Sequence, residues 1–544
     1  MLAPHSDGAE VDVMDTKPVG TIIGTKGRPN TPSEFNFWIP QSERSVAIGT
    51  IVKVNDGMSE AYGIVEDMAS YTEIDDALMH QLSRGGDPET TSPNKEQTTI
   101  VCRARTLKQD MDRPFREGLV YYPTLGELNG LFNLEGCRIP FGVFENTDGL
   151  SVPVMVNESY ITGFEGAHVN ISGMSGLGTK TSAFLFLLSS IFAHSRGSVA
   201  CVLFNIKSDD LLYLDETNPG MDAVDRDIYK ICKIRPAGFK ARIFAPTDIL
   251  ERGNSLREDI EVFRWGYAEI ARYIPSILKA GDPDQKEKLD TAYYDLARMS
   301  SEKGLTSFFN ILEFMRDELL LDGRGWTDLI HGTYKATWGK LYNQMKGFDS
   351  KYFGLLTKYD DEVVELPYDE LEDRSVWVVD IQKLGFYPRK LVFEKVISEL
   401  VSRLEAKTLG VDKLIIFMDE LNKYAPPSHS TDIASLKSRL IDISARGRSV
   451  GLSLFGAEQF KSKVDANILG NISTDIYGKT KEAELMDPLY NKFSKELKEK
   501  MRRFKKDDKL LDHELFDAPV FVKMPRPPCM LGSDRMRIAR EVVV

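Results

Sequence analysis

The stretch Asn170–Phe192, NISGMSGLGTKTSAFLFLLSSIF, decides how the chain is read. Gly173 and Gly178 stand at the spacing of a phosphate-binding loop, G-x-x-x-x-G-K-[ST]. In that loop backbone amides cradle phosphates, a lysine reaches the terminal ones and a hydroxyl holds Mg²⁺. Here Thr179 occupies the place of the lysine, and Lys180 and Thr181 follow one residue late. The flanks are those such a site needs. AHVNIS is a short apolar strand, and TSAFLFLLSSIFAH is an apolar helix whose positive end faces an anion.

Two registers accommodate the extra residue. Kept from the strand side, Thr179 replaces the lysine and Lys180 sets an ammonium against Mg²⁺, which is electrostatically poor. Kept from the helix side, Lys180 and Thr181 retain their places in the first turn and the loop bulges within Gly176–Thr179. A shift inside a helix rotates a side chain by about 100°, whereas a glycine-flanked loop absorbs one residue. The bulged loop is therefore favoured. ATP phosphates then lie on Gly173, Gly176, Gly178 and Thr179, with Lys180 on the β and γ phosphates and Thr181, or Ser182, on Mg²⁺. A glycine turn with an incidental lysine is the bland alternative.

Downstream, KLIIFMDELNKY is an apolar strand ending in Asp419 and Glu420. That places two carboxylates at the C-terminal edge of a parallel sheet, where ligands of such sheets bind. Asp419 is expected to hold Mg²⁺ through water, and Glu420 to orient or deprotonate the attacking water. The segment SRLIDISARGRSVGLSLFGAEQF puts Arg446 and Arg448 just before the next strand and Gln459 at its end. Arginine stabilises charge on a transferring phosphoryl group, often from a neighbouring subunit, and Gln459 is placed to read the γ-phosphate or position water. Surface salt bridges or nucleic-acid contacts are the alternative for the two arginines.

Further compact apolar runs, SVACVLFNI, FKARIFAP and SVWVVDIQ, read as strands buried on both faces of a parallel sheet. Upstream, from Val19 to about Val152, short β-rich runs separated by turn residues predict a small antiparallel barrel or sandwich. Gly85–Glu96 is polar and turn-rich, and reads as a loop. Between about Leu256 and Phe348 apolar residues recur at three and four positions, predicting a helical insertion without strands. The prolines of DAPVFVKMPRPPCMLG favour an extended C-terminal arm. The expected fold is α/β, with a barrel domain over 1–155, an α/β core in two parts over 156–255 and 349–500, which the family resemblance given below implies to be RecA-like, a helical insertion over 256–348, and an extended C-terminal arm over 501–544.

The 544-residue chain can fill several cores. Its 82 acidic and 69 basic residues, a net charge of −13, argue against a basic nucleic-acid coat over the surface, but not against a basic patch in a channel. Five scattered cysteines without a C-x-x-C pair read as core thiols of a reducing compartment. No apolar run approaches the ~20 residues that span a bilayer, so the expectation is a cytoplasmic protein without a membrane segment.

Taken in order, ISGMSGLGTKTS, LIIFMDELNKYAPP and SARGRSVGLSLFGAEQF resemble the HerA family, relatives of the FtsK DNA pumps. The resemblance covers almost the whole chain, from a family barrel to APVFVKMPRPP, which is similar to the family's brace. It implies a homohexameric ring that hydrolyses ATP with Mg²⁺ and moves double-stranded DNA through a central pore. It also implies a partner effector: a NurA-like or other nuclease in repair, or a nuclease or sirtuin-like NAD-consuming enzyme in anti-phage defence. By motif match Lys180, Thr181, Asp419 and Glu420 inherit the ATPase roles, Arg446 or Arg448 the finger acting on a neighbour, and Gln459 the sensor. The chain departs from the family at Thr179, since the family loop ends G-S-G-K-[ST].

Several other residues have two readings. Lys207, Asp209 and Asp210 sit where such motors keep polar residues near the nucleotide, but a strand-end charge cluster is more often a solvated edge. Lys437, Arg439, Lys461, Lys463, Lys340, Lys346 and Lys351 are pore candidates or plain surface cations. His168 reads as structural within its strand, and Phe308-Phe309 and Tyr293-Tyr294 as core. Two functions follow: a DNA-translocating ATPase, or a nucleotide-binding scaffold with slow hydrolysis that assembles and gates an effector.

Overall fold

The structure is a computed structural model. It describes residues 17–535 apart from 41–42, 44, 73–97, 111, 164–165, 175–178, 208, 249–251, 322–324, 353 and 429–433. Gly176, Gly178, the Thr179 side chain and the Gly85–Glu96 loop lie outside the described residues. Two compact units divide the chain: Met1–Val156 with Tyr477–Lys523, and Asn157–Ile476 with Met524–Val544.

In the first unit six antiparallel strands close a barrel in the order Gly20–Ile22, Glu34–Ile39, Thr98–Gln109, Glu60–Thr72, Ile51–Asn55 and Leu119–Tyr121. The last strand pairs back onto the first through Gly20 and Val120, which leaves no free edge. Inward Phe35, Phe37, Val52, Val54, Val65 and Val120 fill it. The same unit holds the strands Cys137–Glu145 and Ser151–Asn157, and the antiparallel pair Asp508–His513 and Val520–Lys523. Strict alternation of buried and half-buried residues along Ser151–Asn157 is the period-two pattern of a sheet with one covered face.

Tyr477–Lys523 corrects the expected boundaries, which divided it between motor and brace. Tyr477, Tyr490, Phe493, Leu497 and Phe504 pack into one apolar cluster with Phe521. The Ser494 hydroxyl donates to the Glu66 carbonyl, and Lys500 to that of Ile48, inside the barrel unit. These hydrogen bonds and the Phe132–Phe516 ring contact tie the segment to the first part of the same unit.

In the second unit eight strands lie in the order Glu261–Phe263, Lys240–Pro246, Ser375–Asp380, Val199–Asn205, Lys413–Asp419, Leu452–Glu458, Val169–Ser172 and Thr474–Tyr477. The first seven pair in parallel throughout. Every residue of Val199–Asn205, Ser375–Asp380 and Leu452–Glu458 is buried, as expected of a sheet with helices on both faces. The helices Thr179–His194, Phe386–Glu405 and Ala434–Val450 supply that cover. The fold class is α/β with an antiparallel barrel.

The insertion is not purely helical. Glu261–Phe263 joins the sheet edge beside Lys240–Pro246, because EVF carries β-branched and aromatic residues whose periodicity is too short to read as helix or strand. A two-residue hairpin, Leu329–Ile330 with Thr333–Tyr334, turns through His331 and Gly332, both at positive φ. Helices Pro283–Glu302, Phe308–Phe314 and Lys335–Lys346 form most of the rest, with Phe308 and Tyr293 buried but Phe309 and Tyr294 exposed. Only one member of each aromatic pair is core.

Candidate functional site

The strand Val169–Ser172 leads into Gly173, and the helix beyond begins at Thr179, so Lys180 and Thr181 occupy its first turn. Gly173 joins the parts: its N–H donates to the Glu458 carbonyl at 3.1 Å, and its own carbonyl accepts the Lys180 ammonium at 3.3 Å. Lys180 is buried, which pulls its pKa below that of a free lysine. The carboxylates of Asp419, Glu458 and Glu420 offset part of that effect, and the charge of Lys207 adds to it. Thr181 and Ser182 are half-buried on the same turn.

Across from this turn, Lys413–Asp419 ends in its two carboxylates. Glu420 adopts a left-handed backbone, φ 57° and ψ 41°, before the helix Leu421–Tyr424. For a residue other than glycine this conformation is strained, and such strain gathers where it positions a side chain. The Glu420 N–H donates to Asp419 Oδ1 at 2.9 Å. Lys207, just past the strand Val199–Asn205, places its ammonium 2.5 Å from Glu420 Oε1 and 3.3 Å from Asp419 Oδ2, while Lys423 takes Glu420 Oε2. Burial alone would raise the Glu420 pKa, but the two ammonium groups hold it below the usual carboxylate range.

Gln459 follows the strand Leu452–Glu458 and is half-buried. Arg446 and Arg448 lie in the last turns of Ala434–Val450, both exposed. Arg446 is engaged by Asp442 through Nε at 2.6 Å, whereas Arg448 has no ion pair among the described residues. His168, expected inside a strand, precedes it at φ 75°. Its Nδ1 accepts the Leu454 N–H at 2.9 Å, and burial lowers its pKa to about 4, so the ring is a neutral tie between two strands.

Three features escaped the sequence. Lys207, one of the strand-end charges with two readings, meets both carboxylates. Asp380, ending Ser375–Asp380, accepts from Asn205 at 2.9 Å and Ser255 at 2.6 Å, and burial raises its pKa. The Glu458 carboxyl is wholly buried and has no hydrogen bond of normal geometry among the described residues, although Asn170 is near enough to favour its charged form. Desolvation pushes its pKa up to about 8. An acid within an apolar run was the available signal for each carboxylate.

Of the pore candidates, Lys437 and Lys461 are buried and paired with Asp465 at 2.7 Å and Asp475 at 2.6 Å. They are structural. Lys463, Lys340, Lys346 and Lys351 are exposed.

The Asp419 carboxylate and Thr181 hydroxyl are hard oxygen donors of the kind Mg²⁺ takes alongside phosphates and water. Among the described residues no cluster of three or more His, Cys, Asp or Glu side chains could hold a metal ion. No described helix is long and apolar enough to cross a membrane.

No protein-family model matches the chain, and no curated protein does. Among solved structures it is similar to the bacterial conjugative coupling protein TrwB, at 12% identity over 74% of this chain and 92% of that one, with a TM-score of 0.44. It is similar to VirB4 of Thermoanaerobacter pseudethanolicus at 12% identity over 72% and 97%, with a TM-score of 0.45. Likenesses this weak assign no activity to this chain.

Proposed function

We propose that the chain is an ATP-hydrolysing DNA translocase that works as a ring of six copies with a partner effector, a nuclease or a defence enzyme. One observation carries this reading: Lys180, the Asp419–Glu420 pair and Gln459 belong to the C-terminal ends of three adjacent parallel strands or the turn they feed. In this reading Lys180 binds the β and γ phosphates, and Gly173 and Glu458 hold the loop and the glutamine strand in register. Mg²⁺ bound by Asp419 and Thr181 neutralises phosphate charge. Glu420 accepts the proton of the attacking water. Arg448, free of the ion pair that occupies Arg446, is the better finger toward a neighbouring copy. Duplex DNA meets the exposed lysines lining the pore, a sequence-independent and salt-sensitive contact that an acidic chain can make locally.

A second reading, a nucleotide-binding scaffold that hydrolyses slowly and gates an effector, draws on the pairing of both Glu420 oxygens with ammonium groups. ATP turnover with and without long duplex DNA, beside Lys180→Ala and Glu420→Gln, separates them. A motor shows DNA-stimulated turnover that both substitutions abolish. Nucleotide binding with low turnover unmoved by DNA supports the scaffold and sinks the motor.

A further inference from the structure

A general base is weakened by cations on its oxygens, and each Glu420 oxygen carries an ammonium group. Oε1 is held by Lys207 at 2.5 Å and Oε2 by Lys423. The two ammonium groups are not equivalent. Lys423 stands three residues on, in the same short helix, largely exposed, and travels with Glu420. Lys207 arrives from another strand and also lies 3.3 Å from Asp419, so one cation bridges both carboxylates. Of the two, only Lys207 can be withdrawn independently of Glu420.

The chain beyond Lys207, from Asp209 on, is tied down. Residues 209–218 are covered by the C-terminal segment 524–535. The Ser533 N–H donates to Asp210 Oδ1 at 3.1 Å, and the Met530 N–H to the Glu216 carbonyl at 2.8 Å. The Asn218 N–H donates to the Pro528 carbonyl at 3.0 Å. A methyl group on Gly532 would fall 2.3 Å from Asp209 Cγ, so the contact admits no side chain there. The Arg535 guanidinium stands 4.2 Å from the centre of the Tyr213 ring. This cover starts two residues beyond Lys207.

We propose that Lys207 is a positioning residue that holds Glu420 inactive, and that the C-terminal segment, by clamping the loop after Lys207, sets whether it does so. The proposal rests on the reading of Glu420 as the base that activates water. A displacement of the segment, by a partner or a neighbouring copy, would let the loop move and free Oε1.

The test compares the full-length protein with Lys207→Gln, Lys207→Arg, Lys423→Gln and the pair Asp210→Ala, Arg535→Ala, with melting temperatures to confirm folding. ATP turnover is measured without DNA, and ATPγS affinity without Mg²⁺ by calorimetry. Lys207→Gln is expected to raise turnover about tenfold, the factor that about 1.4 kcal/mol of barrier represents, through kcat rather than KM and with ATPγS affinity changed less than about twofold. Lys207→Arg keeps the low rate; Lys423→Gln, which releases Oε2 but leaves Lys207 on both carboxylates, raises turnover clearly less than Lys207→Gln; and the Asp210, Arg535 pair moves in the same direction as Lys207→Gln to a smaller extent. Turnover that needs Glu420 yet fails to rise in Lys207→Gln overturns the proposal alone. A rise on Lys423→Gln equal to that on Lys207→Gln also overturns it. Absence of turnover in every variant, with ATPγS bound, overturns the hydrolytic reading and this proposal together.

Discussion

The Gly173 N–H and the Glu458 carbonyl are joined at 3.1 Å, so the first glycine of the loop hangs from the strand that ends beside Gln459. Lys180, bonded to the Gly173 carbonyl, is the next link. A displacement at Gln459 is felt at Lys180 through two hydrogen bonds.

Burial disfavours the Lys180 ammonium, so the lysine is kept at a cost to the fold. Lys180→Met should raise the melting temperature slightly while weakening ATP binding by about 10–100-fold, the range of a lost hydrogen bond to a charged group. Parallel melting and calorimetry check both directions, and a fall in both would show that Lys180 is a packing residue.

Glu458 gives a pH signature. Its folded pKa of about 8 lies above its ordinary value. The protonated form therefore favours folding, and this contribution is complete below about pH 4.5 and lost as pH rises to about 8. Its full span is on the order of 3–5 kcal/mol. Urea denaturation at pH 6 and pH 8.5 should show wild type losing stability that Glu458→Gln retains. Equal losses in the two proteins would place the carboxyl in a wetter site.

Gly456 lies on the glutamine strand where an added Cβ would come 2.6 Å from Leu421 Cδ2. Leu421 is buried and follows Glu420 directly. Gly456→Ala should cost about 1–3 kcal/mol by overpacking and reduce turnover by displacing Glu420. Adding Leu421→Ala should recover part of both losses, a non-additivity that a double-mutant cycle measures.

Lys437 and Asp465 form a buried pair, and Lys437 also donates to the Pro426 carbonyl at 2.7 Å. Lys437→Ala leaves Asp465 uncompensated and should destabilise the protein by about 3–5 kcal/mol. Burial opposes ionisation of Asp465, but Lys437 and Asn467 hold its pKa below the usual range, so its contribution is present near neutral pH and lost on acidification through that lowered pKa. If Lys437→Ala melts like wild type and only DNA affinity drops, Lys437 is a surface contact after all.

Much of the α/β framework was legible because buried parallel strands are continuous apolar runs: SVACVLFNI, SVWVVDIQ and KLIIFMDE each became a strand. The barrel was legible from its spacing of short β-rich runs. The carboxylate pair was legible because an acid ending such a run has one place to go. Lys207 was not, since a lysine after a strand looks alike whether it meets solvent or two carboxylates 212 residues away. Glu458 was hidden by its neighbour Gln459, whose side chain fitted the expected role. The grouping of Tyr477–Lys523 with the barrel depends on contacts across hundreds of residues, such as Ser494 with Glu66, Lys500 with Ile48 and Phe516 with Phe132, which local periodicity does not carry.

That interleaving has a consequence for synthesis. Each unit is written in two instalments, and the second instalment of each comes after residue 476. A ribosome moving from the N-terminus releases the barrel strands early, but Cys137–Glu145 waits for Val520–Lys523, its partner in the sheet. The loop after Lys207 waits longer still, for 524–535. Neither half can therefore complete itself and be released as a separate protein by one cut, and a chain cut back past Lys523 damages both. Full-length translation becomes the quality check, and the two units are made, inherited and degraded as one.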